Sequence, residues 1–330
     1  MRIQSEVEEK IILEKIVAIS EEFLQSAGGE LNYQKITDNI LDISGAKYAG
    51  FNLYEVEGSK SITVAFSASE GTIKKISSLL GFKLVGKKWD HDPVRAEKIK
   101  DHTITHFSTL SEIAGDFIAK PAASLLGKTF NFGEVVIVKI LKENVMLGDF
   151  TLIMPRNVKF KNDNYVEIYA RQVGLLIARR RGEVKLIESK IKYEELFNSI
   201  GSCIAIYEAT DNGNDFIFKD FNEAAEKVDK IKREDLIGKS VLKVFPGVKD
   251  FGLLDIFKRV YKTGKPENRP ISIYKDSRIS GWRENLVYKT AAGEIVAIYE
   301  DVTEKKQAEE EIKSLAKFPE ENPNPRENRL

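Results

Sequence analysis

The chain has 330 residues, 42% of them hydrophobic and 31% charged, with 51 Lys and Arg against 51 Asp and Glu. That length predicts two domains, and the even charge excludes a dominant nucleic-acid surface or polybasic membrane patch. The one cysteine, Cys203, excludes an internal disulfide and a Cys-based zinc site and suits a reducing compartment. No apolar run reaches the length of a membrane span, and the start Met1-Arg2-Ile3-Gln4-Ser5-Glu6 is acidic and amphipathic, unlike a signal peptide. A cytoplasmic protein, or a cytoplasmic piece of a longer one, is expected.

In chain order, the apolar stripe Val7, Ile11, Ile12, Ile16, Ile19, Phe23 and Leu24 predicts a helix over 5–27, stopped by Ala27-Gly28-Gly29. A second helix over 32–44 buries Ile36, Ile40 and Ile43. Two strands, 48–56 and 61–67, flank Glu57-Gly58-Ser59-Lys60 as a hairpin. A short helix falls at 70–80, and 81–130 has no clear period. Strands over 133–141 and 146–154 enclose Lys142-Glu143-Asn144, and a long helix starts at Asn162 or Asp163.

All three histidines, His91, His102 and His106, lie in the irregular middle. His102 and His106 have metal-ligand spacing on a helix. The alternating, Thr-rich Asp101-His102-Thr103-Ile104-Thr105-His106-Phe107 instead favours a strand or loop, and no carboxylate or cysteine nearby completes a site. Trp89-Asp90-His91-Asp92-Pro93 reads as a capped turn with an anchoring Trp. Beyond Arg179-Arg180-Arg181, a basic run that suits a helix C-terminal face, Ile177, Val184 and Ile191 stand seven apart. That spacing fits a short coiled coil joining two domains and pairing two chains.

The second half reads as a strand over Cys203–Glu208, a turn at 211–214, a strand over 215–219, short helices from Asn222 to Pro246, a helix over 251–263, and strands over 268–275, 281–289 and 294–302. The last strand runs through Asp301-Val302-Thr303 into a charged helix, and Asp301 or Thr303 can cap it. The predicted fold class is α+β: two domains, each with a central antiparallel sheet flanked by helices, joined by a long helical linker. Pro319-Glu320-Glu321-Asn322-Pro323 ends helix and reads as a disordered tail.

Ala46–Tyr54 as a first strand, Gly148-Asp149-Phe150-Thr151-Leu152-Ile153 as the penultimate strand and Phe160–Ile177 as a closing helix give the first half a resemblance to a GAF domain. Leu196-Phe197-Asn198-Ser199-Ile200, Phe221-Asn222-Glu223-Ala224-Ala225, Asp235-Leu236-Ile237-Gly238-Lys239, Lys262-Thr263-Gly264 and Asp301-Val302-Thr303-Glu304-Lys305-Lys306-Gln307 give residues 192–303 a resemblance to a PAS domain of the S-box type. The order resembles the sensor half of archaeal and bacterial multi-sensor histidine kinases without the kinase transmitter, so a shortened relative or a piece of a longer chain is expected. The implied organisation is an N-terminal helix (1–27), a GAF-like sensor (28–180), a helical linker (181–195), a PAS domain (196–303), an output helix (304–318) and the tail (319–330).

That resemblance implies a cytoplasmic sensor that passes a ligand or partner signal through dimeric helices to a separate histidine kinase or response regulator. It also implies a ligand pocket in each domain. The candidate lining residues are Trp89, His91, His106, Phe107, Asn222, Phe245, Phe257, Tyr274, Trp282 and Tyr288, with Asp301 and Thr303 as signal-coupling residues. The aromatic candidates suit a filled core equally well. No cofactor is required. Haem in the PAS half is disfavoured because no histidine follows His106, and flavin because Cys203 is on the first strand and not in a photoreceptor helix motif. No catalytic constellation is present: Gly127-Lys128-Thr129 lacks its upstream P-loop glycine, since Ala122 stands there. Three alternatives remain: a haem-based redox or gas sensor using a GAF histidine, a ligand-free dimerisation module, and a methionine sulfoxide reductase of GAF type. The last needs cysteines that the first half does not have.

Overall fold

The computed structural model describes residues 2–25, 29–55, 60–113 and 118–317. The helix stop at Ala27-Gly28, the Glu57-Gly58-Ser59 turn and the tail from 319 lie outside the described residues. The chain divides into two compact units, Met1–Leu186 and Ile187–Leu330.

The first unit begins with α1 (Arg2–Gln25), α2 (Tyr33–Ser44), β1 (Tyr48–Tyr54), β2 (Lys60–Ser67) and α3 (Glu70–Leu80). The stretch without a clear period resolves into β3 (Lys88–Asp90), α4 (Pro93–Ile99), β4 (Ile104–Phe107), α5 (Leu110–Ile113) and α6 (Lys120–Thr129). These elements are mostly too short to show a period. Next come β5 (Phe132–Lys142), β6 (Val145–Pro155) and α7 (Asp163–Ser199). Glu143 and Asn144 both take positive φ, 50° and 65°, as a two-residue hairpin turn requires.

The sheet is antiparallel in the order β3-β2-β1-β6-β5-β4. Strand alternation sends Phe51, Val136, Val138, Phe150 and Leu152 to one face, against Ile36, Ile40, Tyr169 and Val173 of α2 and α7. Tyr48, Phe66, Val135, Ile137 and Ile153 go to the other, beneath α3 to α6. Both faces are covered, which is why β5 reads as an almost unbroken apolar run.

The linker is continuous helix. α7 runs for 37 residues through Gly182, and its last part, from Ile187, belongs to the second unit. That unit continues with β7 (Cys203–Thr210), β8 (Asp215–Phe221), α8 (Glu223–Asp229), α9 (Arg233–Leu236), α10 (Val241–Val244) and α11 (Leu253–Thr263). It closes with β9 (Glu267–Lys275), β10 (Ser280–Lys289), β11 (Ile295–Asp301) and α12 (Thr303–Lys317). The sheet order is β8-β7-β11-β10-β9, antiparallel throughout. The main core lies between the sheet and α8 to α11, built on Phe216, Phe218, Phe221 and Phe257. On the opposite face Phe197, near the end of α7, packs on Ile204 and Val296. The architecture is the α+β layout expected: two antiparallel sheets flanked by helices, with one long helix running from the first unit into the second.

Candidate functional site

In the first unit a row of polar side chains crosses the sheet face beneath α3 to α6. Register pairs Thr63 with Asn52, Asn52 with Asp149, and Asp149 with Lys139. From Trp89 to Asp149 the row is bonded in series. Trp89 Nε1 donates to Thr63 Oγ1 at 2.8 Å, Thr63 Oγ1 to Asn52 Oδ1 at 2.8 Å, and Asn52 Nδ2 to Asp149 Oδ1 at 2.9 Å. Arg95 reaches the same carboxylate from α4. Its Nη2 donates to both Asp149 oxygens at 3.0 Å, and its Nη1 to the Tyr54 hydroxyl at 3.2 Å. Tyr54 in turn donates to Asp149 Oδ2 at 3.0 Å. Arg95 is placed by local sequence: Asp92 Oδ1 accepts from Val94 N and Arg95 N, and Pro93 sets the first helical turn.

Asp149 is fully buried and Arg95 nearly so. Burial would lower the Arg95 pKa, but Asp149 and Tyr54 outweigh it and hold the guanidinium charged. Burial and the adjacent carboxylate push the Tyr54 hydroxyl well above its ordinary value.

Two chambers border these residues. One is an apolar cavity of about 120 Å³, walled by Phe66, Ile76, Leu80, Leu84, Trp89, Leu110, Leu126 and Ile153, with Ser61, Asn52, Thr63, Arg95 and Thr151 as its polar edge. A second cleft of about 280 Å³ is bounded by Tyr54, Lys60, Asp90, His91, Asp92, Lys100 and Lys139 together with Ala96, Ile99 and Met146. Ser61 and Arg95 line both. The network also reaches the helix that leaves this unit, because the Arg181 guanidinium of α7 donates to the Tyr54 carbonyl oxygen.

The second unit holds a smaller cavity, about 50 Å³, lined by Phe245, Phe251, Tyr274, Asp229, Arg283, Asn285 and Tyr299. The Tyr299 hydroxyl donates to Asp229 Oδ2, and Arg283 Nη2 lies 3.5 Å from Asp229 Oδ1. Burial pushes the Asp229 carboxyl above the usual carboxylate range, against the pull of Tyr299 and Arg283. The Nη1 of Arg283 pairs with Asp301, whose Oδ1 accepts from Thr303 N at 2.9 Å and caps α12. Burial alone would raise Asp301; its bonds from Thr303 and Arg283 hold it low instead. Trp282 N donates to Thr303 Oγ1 at 2.9 Å. A Cβ at Gly281 would stand 2.7 Å from Thr303 Oγ1 and 2.9 Å from Arg283 Nη1, so only glycine leaves room for this joint.

The expected site residues fall in several places. Trp89 lines the first cavity, His91 the second cleft of the same unit, and Phe245 and Tyr274 the cavity of the second unit. His106 lies outside all three. It is half-exposed on β4, with Nδ1 2.9 Å from Glu134 Oε1 and Nε2 3.3 Å from Asp163 Oδ1. Phe107 packs in the core under α5 and α6. Asn222 is a structural clamp: it caps α8 through Ala225 N and holds Ile204 N and the Phe197 and Ser202 carbonyls. Phe257 is core, tilted against Tyr207 and edge-on to Phe216. Trp282 and Tyr288 have the wrong strand parity: Gly281, Arg283, Asn285 and Val287 face the core, so both aromatics lie on the other face of the sheet. None of the three histidines lines the apolar cavity, and among the described residues no group of His, Cys, Asp and Glu could hold a metal. Burial pushes the Cys203 thiol up to about 12, which leaves it unreactive at neutral pH.

The residues that the sequence reading missed are Asn52, Thr63, Arg95 and Asp149 in the first unit, and Asp229, Arg283 and Asn285 in the second. For Asn52, Asp149, Arg283 and Asn285 the available signal was a charged or amide side chain at a core-facing strand position; Thr63 and the helix residues Arg95 and Asp229 carried no such signal.

No family model and no curated protein matches the chain. Solved structures do resemble it. A domain of a sensory box sensor histidine kinase/response regulator from Geobacter sulfurreducens is 17% identical over 35% of this chain and 96% of its own, at a TM-score of 0.29. The GAF domain of an Acinetobacter phosphoenolpyruvate-protein phosphotransferase is 10% identical over 52% of this chain and 94% of its own, at 0.37. The chromophore-binding domain of a bacteriophytochrome from R. palustris is 9% identical over 53% of this chain and 62% of its own, at 0.38. At these scores the likeness bears on neither ligand nor activity.

Proposed function

We propose that the chain is a cytoplasmic sensory signal-transduction protein, a GAF-type unit followed by a PAS-type unit, without catalysis of its own. The first unit takes up a small molecule in its apolar cavity. The response leaves through α7 and α12 to a partner histidine kinase or response regulator, by a shift in population between two arrangements. Neither nucleic acid nor membrane takes part.

One observation carries this reading. In each unit the polar wall of the cavity is bonded to the helix at which that unit ends. Arg95 and Asp149 bind Tyr54, whose carbonyl holds Arg181 of α7. In the second unit Asp229 is paired with Arg283, which is paired with Asp301 at the cap of α12. A change of contacts in either cavity therefore has a short bonded route to a helix.

Dimerisation is supported by the exposed stripe of α7. Val184, Ile187 and Ile191 remain 39%, 55% and 51% exposed at coiled-coil spacing. Native mass spectrometry of freshly purified protein tests both halves of the proposal. A dimer retaining a small-molecule adduct is expected; a bare monomer at high concentration contradicts it.

A further inference from the structure

The apolar cavity of the first unit limits its occupant in size, charge and polarity. Its volume, about 120 Å³, is slightly smaller than the cavities of about 150 Å³ that take benzene. One six-membered ring fills it; a nucleotide, a flavin or a tetrapyrrole does not fit. Arg95 is its one charged lining residue among the described residues, and Asp149 already neutralises that guanidinium through two bonds at 3.0 Å. An ionic ligand would be buried there without a counter-charge.

Most of the cavity's polar edge is already engaged. Asn52 bonds Thr63 and Asp149, Thr63 bonds Trp89 and Asn52, and Thr151 Oγ1 donates to Asp149 Oδ1 at 3.4 Å. Ser61 differs. It stands on β2, facing the same side as Thr63, and register places it opposite Trp89 of β3. Ser61 is 4% exposed and lines the cavity, and no hydrogen bond among the described residues involves its hydroxyl. The oxygen is nevertheless not sealed in by its neighbours. A buried hydroxyl without a partner costs free energy until one is supplied, and it can either donate or accept.

Resting on the reading of this unit as a small-molecule sensor, we propose that it binds an uncharged one-ring molecule bearing a single hydroxyl or carbonyl oxygen. The ring fills the apolar cavity beside Trp89 and Phe66, and its oxygen pairs with the Ser61 hydroxyl. A hydrocarbon would leave Ser61 unpartnered, and a second polar group would meet the apolar wall.

Calorimetric titration of the full chain tests this with phenol, cyclohexanol and cyclohexanone, against toluene as the hydrocarbon of the same shape and benzoate as the anion. At least one of the three oxygen compounds should bind about threefold more tightly than toluene, and benzoate should bind about tenfold more weakly than that compound. Ser61 bonds no described residue, so Ser61→Ala should fold as the parent does. It should weaken the favoured compound about tenfold and leave toluene unchanged. If toluene binds as tightly as all three, or Ser61→Ala weakens toluene equally, the oxygen function is refuted and the small-molecule cavity stands. Benzoate binding as tightly as the oxygen compounds refutes the uncharged class. If none of the five binds, the assignment falls, and a retained adduct in the native mass spectrum decides separately whether the sensor reading survives.

Discussion

Replacing Asp149 by Asn keeps side-chain volume and one acceptor oxygen but removes the charge that holds Arg95. The guanidinium, 8% exposed with its partner at 0%, is then a buried cation without a counter-ion. Breaking one side of a buried pair costs about 3–5 kcal/mol. The retained amide oxygen places this variant near the lower end, about 3 kcal/mol. For a unit of this size that lowers the melting midpoint on the order of 10 °C. The two tryptophans divide between the units, Trp89 in the first and Trp282 in the second, so thermal unfolding followed by fluorescence in a Trp282→Phe background reports the first unit alone. Adding Arg95→Met should recover most of the loss, because removing both charges of a buried pair is close to neutral. A midpoint within about 2 °C of the parent, or a double variant no more stable than the single, would refute the view that Arg95 and Asp149 depend on each other.

Other expectations follow from the same geometry. Asp301→Ala removes the α12 cap and the partner of Arg283; it should cost about 1–2 kcal/mol and speed amide exchange in the first turn of α12 while leaving β10 protected. Unchanged exchange there would reduce the joint to an ornamental contact. Asp229 has a raised pKa in the folded unit, so the folded state binds its proton more readily than the unfolded chain. Its contribution is most favourable at acid pH and fades as pH rises from the ordinary Asp range through the raised value. Urea titrations across that window should show this fall in the wild type and a flatter profile in Asp229→Asn; equal slopes contradict the assignment. Ile187→Glu with Ile191→Glu should turn a dimer into a monomer in light scattering, and a wild type that is already monomeric removes the dimer proposal.

Much of the fold was legible because it rests on period and punctuation. Both hairpin strands 132–142 and 145–155 show as apolar runs around Glu143-Asn144, and Asp301-Val302-Thr303 marks the passage from β11 to α12. The candidate site was less legible. Aromatic residues drew attention as pocket walls, yet Phe257 and Phe107 are core, and Trp282 and Tyr288 sit on the other face of their strand. The deciding residues were charges at inward positions: Asp149 in Gly148-Asp149-Phe150, Lys139 in Val138-Lys139-Ile140, and Arg283 between Trp282 and Glu284. Each partner comes from far along the chain. Arg95 meets Asp149 from 54 residues away along the chain, and Asp229 meets Tyr299 from 70 residues away. Such pairings follow from where a helix packs on the sheet, which no local pattern reveals.

Hydrogen exchange in the first unit tests most directly whether the bonded route from the cavity wall carries a change to a helix. Arg95→Met alters the cavity wall without touching α7. If Tyr54 and Arg181 transmit that change, amides of α7 around Arg181 should exchange faster in the variant, together with those of β1 near Tyr54. Faster exchange confined to α4 and the strands beside it, with α7 unchanged, would contradict the route.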